Sequence, residues 1–180
     1  MDTVLEAIGV GKQVSSPEGT LAILSGVSLA IARGETVAVA EGSAGGLVSA
    51  ALLSVPGASA YFVGGTVIYT LAASRAWMAG AVDVPAGMRG ATETFAGYLA
   101  TSVRLKVGST WGIGEAGAAG PANPYGDPAG HSWLAVDGPR VATRNVLTGL
   151  DDRLDNMLAF TASRRALART YVLAWARSAT

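Results

Sequence analysis

The stretch Glu41-Gly42-Ser43-Ala44-Gly45-Gly46 puts an acid, a hydroxyl and three glycines within six residues. It follows Val37-Ala38-Val39-Ala40, a short β-type run, and precedes an apolar segment of helical type, 46–54, so it is a strand-to-helix turn. Three readings compete for it. As a phosphate cradle it would offer the backbone N–H groups of Gly45 and Gly46 at a helix start. A Walker A loop also needs a lysine that reaches the phosphates, and no lysine lies between Lys12 and Lys106. Nucleotide hydrolysis of that type is excluded, and a weaker anion site survives. As a nucleophile elbow the turn would present Ser43, with Glu41 in place of the first glycine of Gly-x-Ser-x-Gly. Helix-start amides would then receive the oxyanion. The third reading is a tight corner.

Two further groups belong to the elbow reading. Asp127 and His131 follow Ser43 in the order Ser, Asp, His, but they stand four residues apart in one loop. His131 can equally open a strand with its ring hydrogen-bonded. Tyr69, at the end of a strand pattern, is either a site residue or an aromatic packed with its hydroxyl satisfied. Gly112-Ile113-Gly114-Glu115-Ala116-Gly117 matches a dinucleotide glycine pattern, but Pro121 and a loop replace the helix that pattern requires.

Composition narrows the chemistry. The chain has 180 residues, no cysteine and a single histidine, which removes thiolate nucleophiles and disulfides and argues against a histidine-based metal site. The formal net charge is zero, so no general attraction to nucleic acid or anionic membrane is expected. The basic terminal segment with Arg164, Arg165, Arg169 and Arg177 reads as a solvated helix face. The start, Met1-Asp2, lacks a basic secretory n-region, and the absence of cysteine fits a reducing compartment, so a cytoplasmic location is expected. Residues 42–74 carry no charge, but Pro56 and several glycines cut that run, which reads as helix, turn and buried strand rather than a membrane span.

Several elements must position these groups. Strands are expected at 37–40, at 60–70 with a bulge or close approach at Gly64-Gly65, at 110–114, and at 131–136 and 140–147 around the Asp137-Gly138 hairpin signal. Helices are expected at 46–54, at 71–79 capped by Thr70, and at 92–107 with Phe95, Leu99 and Val103 on one face. A long terminal helix opens at Asp151-Asp152, with Met157, Phe160, Leu167 and Tyr171 as its packing stripe. Residues 19–34 read as a helix ending at Gly34, with two short strands around Ser25-Gly26 as the alternative. Alternating strands and helices with one added hairpin give an α/β class, a three-layer α/β/α domain with a mixed, mainly parallel sheet. One domain over 1–180 is expected, its first 30 residues atypical.

The segment "VLEAIGVGKQVSSPEGTLAILSGVSLAIARGETVAV" resembles the opening strands of an ABC-transporter ATPase just before its P-loop, and that resemblance stops at the missing lysine. A broader one covers about residues 30–160. The turn, "SVPGASA" at 54–60, the tyrosine strand ending at Tyr69 and "AGP" at 119–121 occur in the order of the CinA C-terminal domain, which includes nicotinamide-nucleotide amidohydrolases. The resemblance implies an α/β/α fold, a dimer or higher oligomer, and metal-independent, cofactor-free hydrolysis of an amide on a small pyridine nucleotide. The family turn reads Ala-Glu-Ser-Cys-Thr-Gly-Gly with the first serine as nucleophile. That position is Gly42 here, Ser43 stands at the cysteine, and Ala44 at the threonine. The family lysine after the tyrosine is replaced by Ser74, with Arg75 next, and a hydroxyl before the glycine loop becomes Ala116. Arginine does not serve as a base as lysine can. A subgroup with Ala-Glu-Ser-Ser-Ala-Gly-Gly and a Tyr-Gly-Asp…Gly-His loop is closer, matching Tyr125-Gly126-Asp127 and Gly130-His131.

Two functions are therefore expected in competition. In an amidohydrolase, Ser43 is the nucleophile, Tyr69 or His131 the proton carrier, and Glu41 the orienting acid. In a silent binding domain, a small anionic metabolite is held by glycine-rich turns. The ligand-binding candidates in both are Gly45, Gly46, Arg75, Gly117, Gly120, Asn123 and Asp127. Partners are a small-molecule ligand and further copies of the chain.

Overall fold

The structure is a computed structural model that describes residues 3–16, 19–32 and 34–162. Strands β1 (Thr3–Ser16) and β2 (Gly19–Ala32) form an antiparallel ribbon of their own. The helix expected over 19–34 is thus replaced by one continuous strand. Its register slips lie between Thr3 and Leu5 and between Ala7 and Gln13, and the one between Val10 and Lys12 falls at Ser25-Gly26, across which the strand continues. Pairing with β1 decided the matter, because a ladder partner far back in the chain overrides an ambiguous local apolar pattern. Ile31, near the end of β2, is buried in the main core.

Next come β3 (Val37–Glu41), α1 (Leu47–Leu53), β4 (Phe62–Val67), α2 (Leu71–Met78), α3 (Glu93–Val107), β5 (Trp111–Ala118), β6 (His131–Asp137), β7 (Ala142–Leu147) and α4 (Arg153–Ala162). The sheet order is β4-β3-β5-β6-β7. Pairs β4/β3 and β3/β5 are parallel, and β5/β6 and β6/β7 are antiparallel, so the mixed sheet is evenly divided. The charge-free run 42–74 resolves into α1, β4 and the start of α2, and among the described residues no helix is long and apolar enough to cross a membrane.

Strand alternation divides the core into two layers. Val37, Val39, Leu134 and Val136 meet Val48 and Leu52 of α1 and Phe160 of α4 on one face. Ala38, Ala40, Ala116 and Ala135 meet Met78 of α2 and Phe95, Leu99 and Val103 of α3 on the other. The Thr70 and Thr92 hydroxyls cap α2 and α3 by accepting from Ala73 N–H (3.1 Å) and Phe95 N–H (3.2 Å). The small residues of β5 let α3 come close. A Cβ on Gly114 would press into the Ala96 carbonyl oxygen and lie 2.7 Å from the Ala100 nitrogen, and one on Gly112 would press into the Ala100 carbonyl oxygen. The bulge in β4 falls between its pairings to Val37 and Ala38, at Val63, one residue before the glycine pair. Strand β5 runs four residues past the expected end, so Glu115 to Ala118 belong to the sheet, not to the loop. The ladder to β6, from Gly112 opposite Asp137 to Ala118 opposite His131, holds them there. Of the terminal stripe, Phe160 is buried and Met157 packs against the core, while Leu167, Tyr171 and the four distal arginines lie outside the described residues.

Candidate functional site

Glu41, at the end of β3, and Glu115, midway along β5, lie on neighbouring parallel strands in register with each other. Both are fully buried, and both side chains project to the α1 face, as Val39 and Ile113 do two residues earlier. Among the described residues no basic side chain pairs with either. Hydrogen bonds take that role. Glu41 accepts from Val48 N–H (3.0 Å), Ser49 N–H (3.0 Å) and the Ser49 hydroxyl (2.7 Å). It supplies α1 with the N-terminal acceptor that its own cap, Gly46, lacks. Glu115 accepts four bonds. Gly42 N–H (3.1 Å) and Ala44 N–H (2.8 Å) reach Oε2, and the hydroxyls of Ser43 and Ser132 (2.6 Å for Ser132) reach Oε1.

These two carboxylates answer the question the turn poses. The N–H groups of Gly42 and Ala44 are bonded to Glu115, and that of Leu47 to Ala44 C=O. Gly45 N–H is bonded to Gly42 C=O (3.2 Å), closing the corner. Gly45 and Gly46 have φ of +66° and +98°, so the backbone favours glycine at both, and a Cβ on Gly45 would also displace the end of the Met157 side chain, 2.7 Å away at Cε. Ser43 is 5% exposed and its hydroxyl donates into Glu115, so its side chain turns inward, under α1 and α4.

The other candidates fall into separate groups. Tyr69 is 64% exposed, and its hydroxyl accepts from Arg153 Nη2 (2.9 Å) at the start of α4. The same guanidinium donates through Nη1 to Gly120 C=O and lies 5.9 Å from the Tyr69 ring centre. Arg153 thus joins Tyr69 to the glycine-proline loop. Asn123 and Asp127 order that loop. Asn123 Oδ1 accepts from Tyr125 N–H and Asp127 N–H (both 3.0 Å), and Asn123 Nδ2 donates to Asp127 (2.8 Å). Asp127 also forms an ion pair with Arg89 (2.5 Å), whose guanidinium stacks over Tyr125. Gly117 lies opposite Ser132, where a Cβ would be 2.6 Å from the His131 carbonyl oxygen.

His131 is not joined to Ser43. Ser132 Oγ reaches Glu115 on the α1 face, so the preceding side chain points to the α3 face, where His131 Nε2 meets Asn145 Nδ2 (2.8 Å). The Ser-Asp-His constellation is corrected accordingly: the sheet separates its serine from its histidine. The second ring nitrogen of His131, Nδ1, is buried without a hydrogen-bond partner among the described residues. Arg75 is exposed on α2 and bonds to none of these groups. Glu115, Ser132, Arg153 and Arg89 were missing from the sequence-derived site. Only Glu115 left a trace, as the one acid inside the small and apolar run 111–118.

The Arg89 hydrogen bond, more than any other contact, holds the Asp127 carboxyl below the usual carboxylate range, with the Asn123 amide adding to it. A depressed folded-state pKa contributes stability that is present above the unfolded value and is lost as pH falls through the folded one. Titration of Asp127 by NMR should therefore give a midpoint below that of a free aspartate, and Arg89→Ala should raise it. An unchanged midpoint in that variant would remove the ion pair as the cause.

Residues 22–172 match the CinA C-terminal domain family. A CinA-like protein of Myxococcus xanthus (strain DK1622) is 35% identical over 120 residues, which is 66% of this chain and 28% of that protein. One from Frankia casuarinae (strain DSM 45818 / CECT 9043 / HFP020203 / CcI3) is 36% identical over 107 residues, 57% of this chain and 24% of that protein. The chain thus spans about a quarter of the length of these curated relatives. Among solved structures, the competence damage-inducible protein A of Klebsiella pneumoniae subsp. pneumoniae MGH 78578 superposes with a TM-score of 0.72 at 23% identity, over 80% of this chain and 90% of that one. The competence/damage inducible protein CihA of Agrobacterium tumefaciens gives 0.67 at 25% identity, over 76% and 85%. The Klebsiella likeness speaks for the fold alone.

Proposed function

The chain belongs to the CinA C-terminal domain family, and we propose that within it this domain binds a small anionic metabolite without hydrolysing it. One observation carries the reading: no hydroxyl at the turn is free to attack. Gly42 stands where the resemblance puts a nucleophilic serine, and the Ser43 hydroxyl is buried against Glu115. The binding groups are Tyr69, the Gly120 segment and Arg153, near the C-terminal ends of β4, β3 and β5, where open α/β sheets take ligands. Arg153 is held by a carbonyl and a phenol, both neutral, so its charge is not cancelled by an ion pair among the described residues. Its planar fork suits a carboxylate or a phosphate. Pyridine mononucleotides are the ligands to try first, given what the resemblance implies.

A second reading, amide hydrolysis through Ser43, has one observation in its favour. The Ser43 proton already points at a carboxylate, Glu115, which is the acceptor a serine nucleophile requires. Calorimetry and turnover separate the two. Under the binding reading, nicotinamide mononucleotide or its acid binds, Arg153→Ala weakens it about tenfold or more, as expected for a charge-assisted bond worth about 1.5–3 kcal/mol, and no ammonia is released. Ammonia release that disappears in Ser43→Ala would overturn the binding-only reading in favour of the hydrolase. Failure of both compounds to bind would remove pyridine mononucleotides as ligands.

A further inference from the structure

The loop between β5 and β6, residues 119–130, is gripped by two arginines that come from opposite faces of the sheet. Arg153 opens α4, whose Phe160 lies in the core layer of α1, and it donates to Gly120 C=O. Arg89 stands just ahead of α3, on the other face. Its carbonyl accepts from the Thr92 hydroxyl (2.9 Å), the hydroxyl that also caps α3, so the helix fixes Arg89 in place. Its guanidinium reaches both oxygens of Asp127, Nη1 to Oδ2 at 2.5 Å and Nη2 to Oδ1 at 3.4 Å. Between the two grips the loop is bonded chiefly to itself. Asn123 N–H donates to Asp127 C=O (3.1 Å) and Gly126 N–H to Asn123 C=O (3.0 Å), so residues 123–127 form one closed turn. Among the described residues, the hydrogen bonds that leave residues 121–128 are those with Arg89 and one from His131 N–H to Pro128 C=O (3.3 Å). At the loop's start, Ala119 C=O accepts from Asn156 Nδ2 of α4 (2.8 Å). Gly120 is therefore the joint between a part fixed to α4 and a turn fixed to Arg89.

We propose that Arg89 is a positioning residue for the anion site at Arg153, which rests on the reading of Arg153 as the anion-binding group. Arg153 is exposed and long, and its aim is set by two acceptors, the Tyr69 hydroxyl and Gly120 C=O. The direction of the Gly120 carbonyl follows from where the 123–127 turn is held. A two-pronged arginine–carboxylate pair fixes direction as well as distance, so Arg89 sets that place. Without the pair the turn swings about Gly120, and Arg153 keeps only the exposed phenol. Its fork must then be ordered anew whenever an anion arrives, which weakens binding although no contact to the anion is lost.

Two measurements on the full chain test the proposal: nitrogen-15 relaxation of the Arg153 Nε–H group without ligand, and calorimetric titration with nicotinamide mononucleotide. In Arg89→Ala the order parameter of that group should fall and the Kd should rise about two- to tenfold. Asp127→Asn should do the same. The sign of that second result separates positioning from long-range attraction, because removing a negative charge would otherwise tighten an anion. The swapped pair, Arg89→Asp with Asp127→Arg, should restore both readings. An unchanged order parameter in Arg89→Ala would overturn the proposal whether or not the nucleotide binds, and so would an Asp127→Asn protein that binds as tightly as the natural one or tighter. If the natural chain binds no nucleotide, the binding reading fails by itself, and the order parameter alone decides whether Arg89 positions Arg153. Should Arg89→Ala fail to fold, Asp127→Asn carries both measurements.

Discussion

Replacing Glu115 by alanine should cost the domain about 3–4 kcal/mol of unfolding free energy. The carboxylate is the acceptor for Ala44 N–H and for the Ser43 and Ser132 hydroxyls, while Gly42 N–H also keeps the Glu115 main-chain carbonyl (3.0 Å), and each donor left buried without a partner costs about 1–3 kcal/mol. Part of the loss is offset, since the variant no longer desolvates a charge, a penalty of several kcal/mol for a buried ion. Total stabilities of about 5–15 kcal/mol make the net change large. Glu115→Gln should also destabilise, because its amide nitrogen would face donors with a donor. Ser132→Ala removes one bond of the four and should cost only about 1 kcal/mol. Urea denaturation of the three variants measures the series. Equal, small losses for all three would show that the turn does not depend on the carboxylate.

The second large effect concerns packing. Gly114→Ala should destabilise by about 3 kcal/mol, at the upper end for an overpacked site. The added methyl meets the backbone of α3 at Ala96 and Ala100, which has no rotamer to change. Either the helix moves off β5 or the strand bends, and both disturb the layer that holds Leu99 and Val103. Gly46→Ala is the control. A Cβ there finds its nearest neighbour, Val67 Cγ2, at an ordinary 3.7 Å, so its cost is only that of φ +98°, about 1–2 kcal/mol. A Gly114→Ala protein as stable as the natural one would mean that α3 is not seated on the glycines.

These two sites also mark what the sequence could reveal. Elements set by near neighbours were legible: the Thr70 and Thr92 caps, the Asp137-Gly138 hairpin, and the Phe95, Leu99, Val103 face each depend on residues within a few positions. The strand-turn-helix at 37–53 was legible for the same reason. Glu115 takes three of its four side-chain bonds from residues more than seventy positions earlier and the fourth from Ser132, and Arg153 reaches back 84 positions to Tyr69, so neither role leaves a local pattern. Segment 19–32 carries enough apolar residues to satisfy a helix, and only its pairing with β1 makes it a strand. For Ser43 the residue type was right for chemistry, but its direction depended on where the neighbouring strand placed an acid.

That acid has a consequence for any external anion. Glu115 is delivered to the turn by a rigid strand, so it competes at an effective concentration far above the millimolar range of a flexible tether. A phosphate or sulfate ion in solution would have to displace it and also leave a carboxylate stranded in the core. Occupancy of the 42–46 corner by such ions should therefore be negligible even in concentrated salt. A glycine-rich turn after a parallel strand can thus be saturated from within, and the residue to inspect first is the one in register on the adjacent strand.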